Sequence, residues 1–276
     1  MGVDADRRIH GPRPYALRVL WLYGRMLGQH ALARLSYETD FLLTIGASAL
    51  TQVLGLIFLG VVFSRIPSVR GWTFWQAALL YGLLLEVRGL AAAFGEGAWS
   101  IGGAVARGEL DRLLLRPLPV LVQLYGGGLG WSAIADLGLG AAILAVAGPH
   151  VAIVWSFGTV AALCVALPSG AMVYWSAMLA ANSIAFWTVG ARGTVAFLLH
   201  GVSELAKFPL PVYPRLLAGV LTWCLPFAFL SFYPARALVA GPDLAVWLSP
   251  LAGLGSLLCA WLVWRAGLAR YEGTGS

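Results

Sequence analysis

Ionisable residues are scarce in this sequence, so those set inside apolar stretches are the first place to look for chemistry. Glu86, Arg88 and Asp136 are such residues. A charged side chain near the centre of a bilayer costs roughly 2.5–3.5 kcal/mol on insertion scales, so each calls for a compensating role. Glu86 and Arg88 stand two positions apart, point to different sides of a helix and cannot pair within it. One reading has them facing a polar cavity or a partner subunit on a substrate path. The other is structural: ion pairing among these residues, or an Arg88 that snorkels to the near face. Both stay open at this level. Asp136 reads as a hydrogen-bonding group between packed helices. His10, His30, His150 and His200 are scattered and read as bystanders rather than ligands.

A second concentration of charge is Arg107–Val120, RGELDRLLLRPLPV. On a helix Glu109, Arg112 and Arg116 share one face, and Arg107 and Asp111 share another at i,i+4 spacing. Leu110, Leu113 and Leu114 fill much of the remainder, and Pro117 and Pro119 end the helix where the next apolar run begins. This pattern predicts a short amphipathic helix at a membrane face that offers charges to another molecule. The alternative is a solvated loop whose charges only fix topology. No catalytic constellation accompanies it: there is no GxSxG, no HExxH, no metal-spaced Cys/His set and no GxxxxGK[ST] phosphate loop. The YGGGLGW run at Tyr125–Trp131 does not match GxGxxG, and its Gly126 and Gly130 have the spacing of a close helix contact. Cys164, Cys224 and Cys259 lie in apolar runs and read as small core residues.

The elements that must carry these groups follow from composition. Of 276 residues 60% are hydrophobic and 11% charged, against about a quarter charged in a soluble domain. Several segments are long enough to cross a hydrocarbon core about 30 Å thick. The chain is therefore expected to be an all-α polytopic membrane protein of six spans. The net charge of +6 is explained by basic residues gathering on the cytoplasmic side, so no nucleic-acid partner is implied. Arg-rich, Ala/Gly-rich composition suggests a GC-rich bacterial genome. Residues 1–37 are read as a cytoplasmic tail and an in-plane amphipathic helix over Tyr15–Tyr37, with Arg18 and Arg25 on its polar stripe. Residues 38–270 form a single transmembrane domain, and 271–276 a cytoplasmic tail. Spans are expected near 41–63, 74–94, 120–147, one long helix within 151–189 bent near Pro168, 216–230 broken at Pro226, and 244–264. The charged helix occupies about 97–116, between spans two and three. Arg192–Arg215, with Glu204 and Lys207, is read as a second inner connection, and 231–243 as an outer re-entrant segment. On this scheme basic residues concentrate on one side, which places both termini in the cytoplasm.

With these features placed, the chain resembles the membrane subunits of ATP-binding-cassette exporters, in the type-2 permease superfamily. Three features carry the resemblance: GELDRLLLRPLP at 108–119; FPLPVYP at Phe208–Pro214 followed by LPFAFLSFYPA at Leu225–Ala235; and the overall layout of in-plane helix, six spans and charged helix after span two. The resemblance implies a permease half without ATPase motif of its own, in a bacterial cytoplasmic membrane. Two copies of a separate ATP-binding-cassette subunit would bind ATP and Mg and hydrolyse ATP. A second permease chain, identical or homologous, would complete the path. The helix after span two would act as a coupling helix, so Arg107, Glu109, Asp111, Arg112 and Arg116 would face the ATPase, flanked by Arg18 and Arg25. Glu86 and Arg88 would belong to the translocation path. Aromatic-rich spans suggest an amphipathic cargo such as a drug-like product, lipid or glycolipid. The rival readings are an ion-gradient-driven transporter, with Glu86 or Asp136 carrying protons, and a non-transporting membrane scaffold.

Overall fold

The structure, a computed structural model, describes residues 15–35, 38–94, 96–127, 130–188 and 193–271. The expected tails at 1–14 and 272–276 and the basic residue Arg192 lie outside them. The described residues are helical with no β-strand, as a chain must be when hydrocarbon offers its backbone no hydrogen-bond partner. Five helices are long and apolar enough to span a membrane: Leu42–Arg65 within α2 (Glu38–Arg65), α3 (Phe74–Ala93), Ser132–His150 beginning with α7 (Ser132–Ala147), Phe157–Phe186 beginning with α8 (Phe157–Ser183), and α13 (Ser249–Ala269).

α3 is the centre. Apart from Gln76, Glu86 and Arg88 it is apolar on every side, the pattern of a helix surrounded by others, and Leu80, Leu84, Leu85 and Val87 are fully buried. Its start is fixed by a capping box: the Gln76 N–H donates to Thr73 Oγ1 (3.4 Å) and the Thr73 N–H to Gln76 Oε1 (3.0 Å). α7 packs along it through Gly82, Gly89 and Gly140, and α8 along another face. α13 lies against α8. α2 is peripheral, with Leu43, Leu50, Ile57 and Val61 turned outward, which suits a helix facing lipid. The fourth apolar stretch is one helix, α8, entered through the Ser156 cap (Thr159 N–H to Ser156 Oγ, 3.1 Å) and passing through Pro168 without a break.

Four expectations are corrected. The charged stretch is not one helix: α4 (Ile101–Ala106) stops, and α5 (Glu109–Leu114) starts again after Gly108 at φ 66°, a left-handed turn that glycine adopts without a steric penalty. The span expected over 120–147 is likewise interrupted, as α6 (Val120–Gly126) and α7 separated by the glycine-rich run.

The largest difference concerns Arg192–Arg215, which is not a connection along one face. α9 (Thr194–Ser203) and the 3₁₀ turn Glu204–Lys207 climb beside α8 and α3. Gly193 sits by Asn182, at the end of the bundle that carries α4. Ala206 lies at the opposite end, where its carbonyl accepts from Ser231 Oγ (2.5 Å), next to Phe232 packed on Trp72 (5.7 Å between rings). The prolines at 209, 211 and 214 follow this passage rather than forming a loop before it. The span expected over 216–230 is not formed: α10 (Arg215–Gly219) with its continuation Val220–Cys224 is too short to be a span. The segment expected as the outer re-entrant piece contains α11 (Phe232–Ala240), packed on α3 and α8, before α12 (Leu244–Trp247) leads into α13.

Candidate functional site

A cavity of about 430 Å³ opens between α2, α3, α7, α8 and α9. Its wall includes Gln52, Arg88, Glu96, Trp99, Tyr125, Asp136, Tyr174, Trp175 and His200. Arg88, buried on α3, donates Nη1 to Glu204 Oε1 and Nη2 to His200 Nε2 (3.1 Å). Guanidinium can only donate, so His200 Nε2 accepts and the ring carries its proton on Nδ1, facing the Tyr174 hydroxyl at 2.8 Å. Lys207 Nζ reaches the other Glu204 oxygen at 3.4 Å, so Glu204 joins two cations. Each buried polar group in this chain of contacts is matched, the condition for tolerating charge in a dry interior.

A second set of contacts binds α2 to the bundle. Gln52 Nε2 donates to Asp136 Oδ1 (2.8 Å), and the Tyr81 hydroxyl donates to Gln52 (2.8 Å to Oε1). Asp136 is thus a helix-joining group, as its sequence position suggests, and it also lines the cavity. Ser132 donates to Glu96 (2.6 Å) at the mouth nearest α4. Tyr125 and Trp175, 4.6 Å apart, separate the polar cavity from an apolar groove lined by Leu20, Leu90, Phe94, Leu121 and Met172.

Glu86 and Arg88 part company. Arg88 lines the cavity, whereas Glu86 turns to the α7 backbone beside Gly140 and takes no part in the cavity wall. Sequence reasoning missed Gln52, Glu96, Trp99 and Tyr174, which carry no distinguishing local pattern. It also dismissed His200 and assigned Glu204 to a surface connection.

The charged stretch has its own geometry. In α5 Leu110 is fully buried while Glu109, and Arg107 just before the turn, are open to solvent. Arg107 Nε donates to Glu109 Oε1 (2.8 Å), a pair made possible by the turn at Gly108, and this hydrogen bond holds the Glu109 carboxyl below its ordinary range. Arg107 and Asp111 do not share one continuous helix face as expected. The segment is pinned from behind: Gln123 Nε2 donates to the carbonyls of Leu113 (2.9 Å) and Leu118 (2.8 Å). The turn Gly97–Ser100 that leads into α4 lies against α6 so closely that a Cβ at Gly97 would come 2.4 Å from the Leu124 carbonyl oxygen. α1 (Tyr15–Leu35) rests on α6, with Tyr23 donating to the Phe94 carbonyl, and keeps Arg18 and Arg25 exposed. Arg112 and Arg116 belong to the same pinned stretch, Arg116 past the end of α5. Among the described residues no three His, Cys, Asp or Glu side chains gather as a metal site.

No curated protein and no solved structure matches the chain. The profile of the ABC-2 family transporter proteins matches residues 49–275. That match takes in every candidate membrane span apart from the first residues of α2, together with both clusters described above. The chain therefore belongs to the ABC-2 transporter family and is a multi-pass membrane permease component of an ATP-binding-cassette transporter.

Proposed function

We propose that this chain is one permease half of an ATP-driven exporter, powered by two copies of a separate ATPase and completed by a second permease chain. One observation carries this reading. The short stretch Gly97–Leu114 presents the exposed charges of α5 at one end and supplies Ala98 and Trp99 to the cavity wall at the other. A push on α5 is delivered to Trp99, whose ring stands edge-on to His200 at 6.2 Å, because Gly97 and Gln123 leave the segment little room to deform separately. Arg107, Glu109, Asp111, Arg112 and Arg116 are the contact with the ATPase groove, with Arg18 and Arg25 beside it. Exposed charges of this kind set partner choice more than they set stability. The path runs through the cavity that Arg88 lines. ATP and Mg act on the ATPase subunits.

The test is affinity purification of the full chain from its native membrane, scoring co-purified subunits and vanadate-sensitive ATP hydrolysis. The expected result is a stoichiometric ATP-binding-cassette subunit whose association falls at least tenfold in Glu109→Lys/Asp111→Lys, with the thermal stability of the chain unchanged. A chain that purifies alone, or a double variant that retains its partner and its coupled transport, overturns the assignment.

A further inference from the structure

We infer that the cavity lined by Arg88, Asp136 and Trp99 is a binding site for amphipathic organic cations. The inference rests on the transport reading for its purpose but not for its chemistry. Charge is the first argument. The cavity wall carries one cation, Arg88, and two carboxylates, Glu96 and Asp136. Arg88 is already engaged by Glu204 and His200 and shielded by the Tyr174 ring, 5.9 Å from its guanidinium carbon. Including Glu204 and Lys207 behind it leaves the formal balance, with every group counted as ionised, unchanged at one excess negative charge. An anionic guest would displace the contacts Arg88 already makes and face two carboxylates; a cation meets both.

The aromatic lining is the second argument. Trp99, Tyr125, Tyr174 and Trp175 present ring faces and edges around a space of about 430 Å³, within the roughly 300–1,000 Å³ usual for small-molecule sites. Indole and phenol faces attract cations through their quadrupoles, most strongly where water is excluded. The third is an unspent polar group at the wall. The Tyr125 hydroxyl is buried and has no hydrogen-bond partner among the described residues, which a buried phenol ordinarily finds. Tyr125 and Trp175 also border the apolar groove beside α1. A guest with a cationic head and an apolar body has a place for each part on the two sides of this pair.

The experiment uses the full chain in nanodiscs of neutral lipid, without ATPase or nucleotide, and a size-matched pair of probes. These are tetraphenylphosphonium and tetraphenylborate, followed by equilibrium binding and quenching of tryptophan fluorescence. The expected result is saturable binding of the phosphonium at least tenfold tighter than of the borate. Asp136→Asn and Glu96→Gln each keep an oxygen to accept from Gln52 or Ser132, and are expected to weaken phosphonium binding at least fivefold. Trp99→Leu is expected to do the same, while Glu86→Gln, a carboxylate outside the cavity, leaves binding unchanged. Unaltered thermal transitions show that the variants are folded. Phosphonium binding that does not saturate, borate binding as tight, or loss in Glu86→Gln equal to that in Asp136→Asn overturns the inference. The outcomes also separate the two readings: selective binding by a chain that captures no ATPase refutes the exporter and keeps the site, and the reverse refutes the site alone.

Discussion

The Arg88–Glu204 pair lends itself to a quantitative test because its two partners are unequally protected. The Arg88 side chain is 8% exposed and Glu204 31%. Breaking a buried pair from one side costs about 3–5 kcal/mol, and the structure says which side costs more. In Glu204→Gln the amide oxygen still accepts from Arg88, but a buried guanidinium loses the carboxylate it touches and keeps only His200 and the Tyr174 ring. We expect about 2–3 kcal/mol, somewhat below the full range for that reason. In Arg88→Met the remaining Glu204 keeps Lys207 at 3.4 Å and partial contact with solvent, so the cost falls to about 1–2 kcal/mol. The double variant has no stranded guanidinium and should resemble Arg88→Met, giving a coupling of about 2–3 kcal/mol. The assay is thermal unfolding of the purified chain in detergent, read by its intrinsic tryptophans. At roughly 2–4 °C per kcal/mol, Glu204→Gln should lower Tm by about 5–10 °C and Arg88→Met by about half as much. An Arg88→Met variant at least as destabilised as Glu204→Gln, or strictly additive singles, would refute the reasoning.

Two further outcomes follow from the pinned segment. Gly97→Ala places a methyl group 2.4 Å from the Leu124 carbonyl oxygen and 2.5 Å from the Tyr125 Cα; backbone cannot step aside as a side chain can, so a loss of about 2–4 kcal/mol, or failure to accumulate in the membrane, is expected, and wild-type Tm would contradict it. Gln123→Leu removes two hydrogen bonds to the carbonyls of Leu113 and Leu118, with an expected cost of about 1–3 kcal/mol and faster amide hydrogen exchange confined to residues 109–118; exchange unchanged there would show that the amide does not hold the stretch.

Much of the architecture is legible in the sequence because hydropathy and helix stops are local. The lengths of α2, α3, α8 and α13, and the turn before α8, follow from apolar runs bounded by Pro, Gly and charge. The passage through α9 was not legible for a reason that is equally physical. His200, Glu204 and Lys207 make it too polar for a span by itself; Lys207 is met by Glu204, and what meets Glu204 and His200 is Arg88, 116 residues from Glu204. Counting Lys207 as a surface charge was reasonable for an isolated segment and wrong for a paired one. Arg88 and Asp136 could be picked out as charges needing a reason. The residues that answer them, Gln52, His200, Tyr174 and Glu204, are ordinary until the fold brings them together. The break at Gly108 was visible only as a glycine, and its left-handed turn is what separates Arg107 from Asp111.

The dependence of α9 on Arg88 has a consequence for how the protein is made. Helices leave the insertion machinery in the order of synthesis, and a segment carrying Glu204 and Lys207 partitions poorly into lipid by itself. Its counter-ion already waits on α3, buried among helices synthesised before it. Membrane entry of this segment is therefore an act of docking onto a formed groove rather than of independent partitioning. A ribosome-stalled chain long enough past Lys207 for the segment to clear the exit tunnel would hold it in the bilayer more completely with Arg88 present than in Arg88→Met.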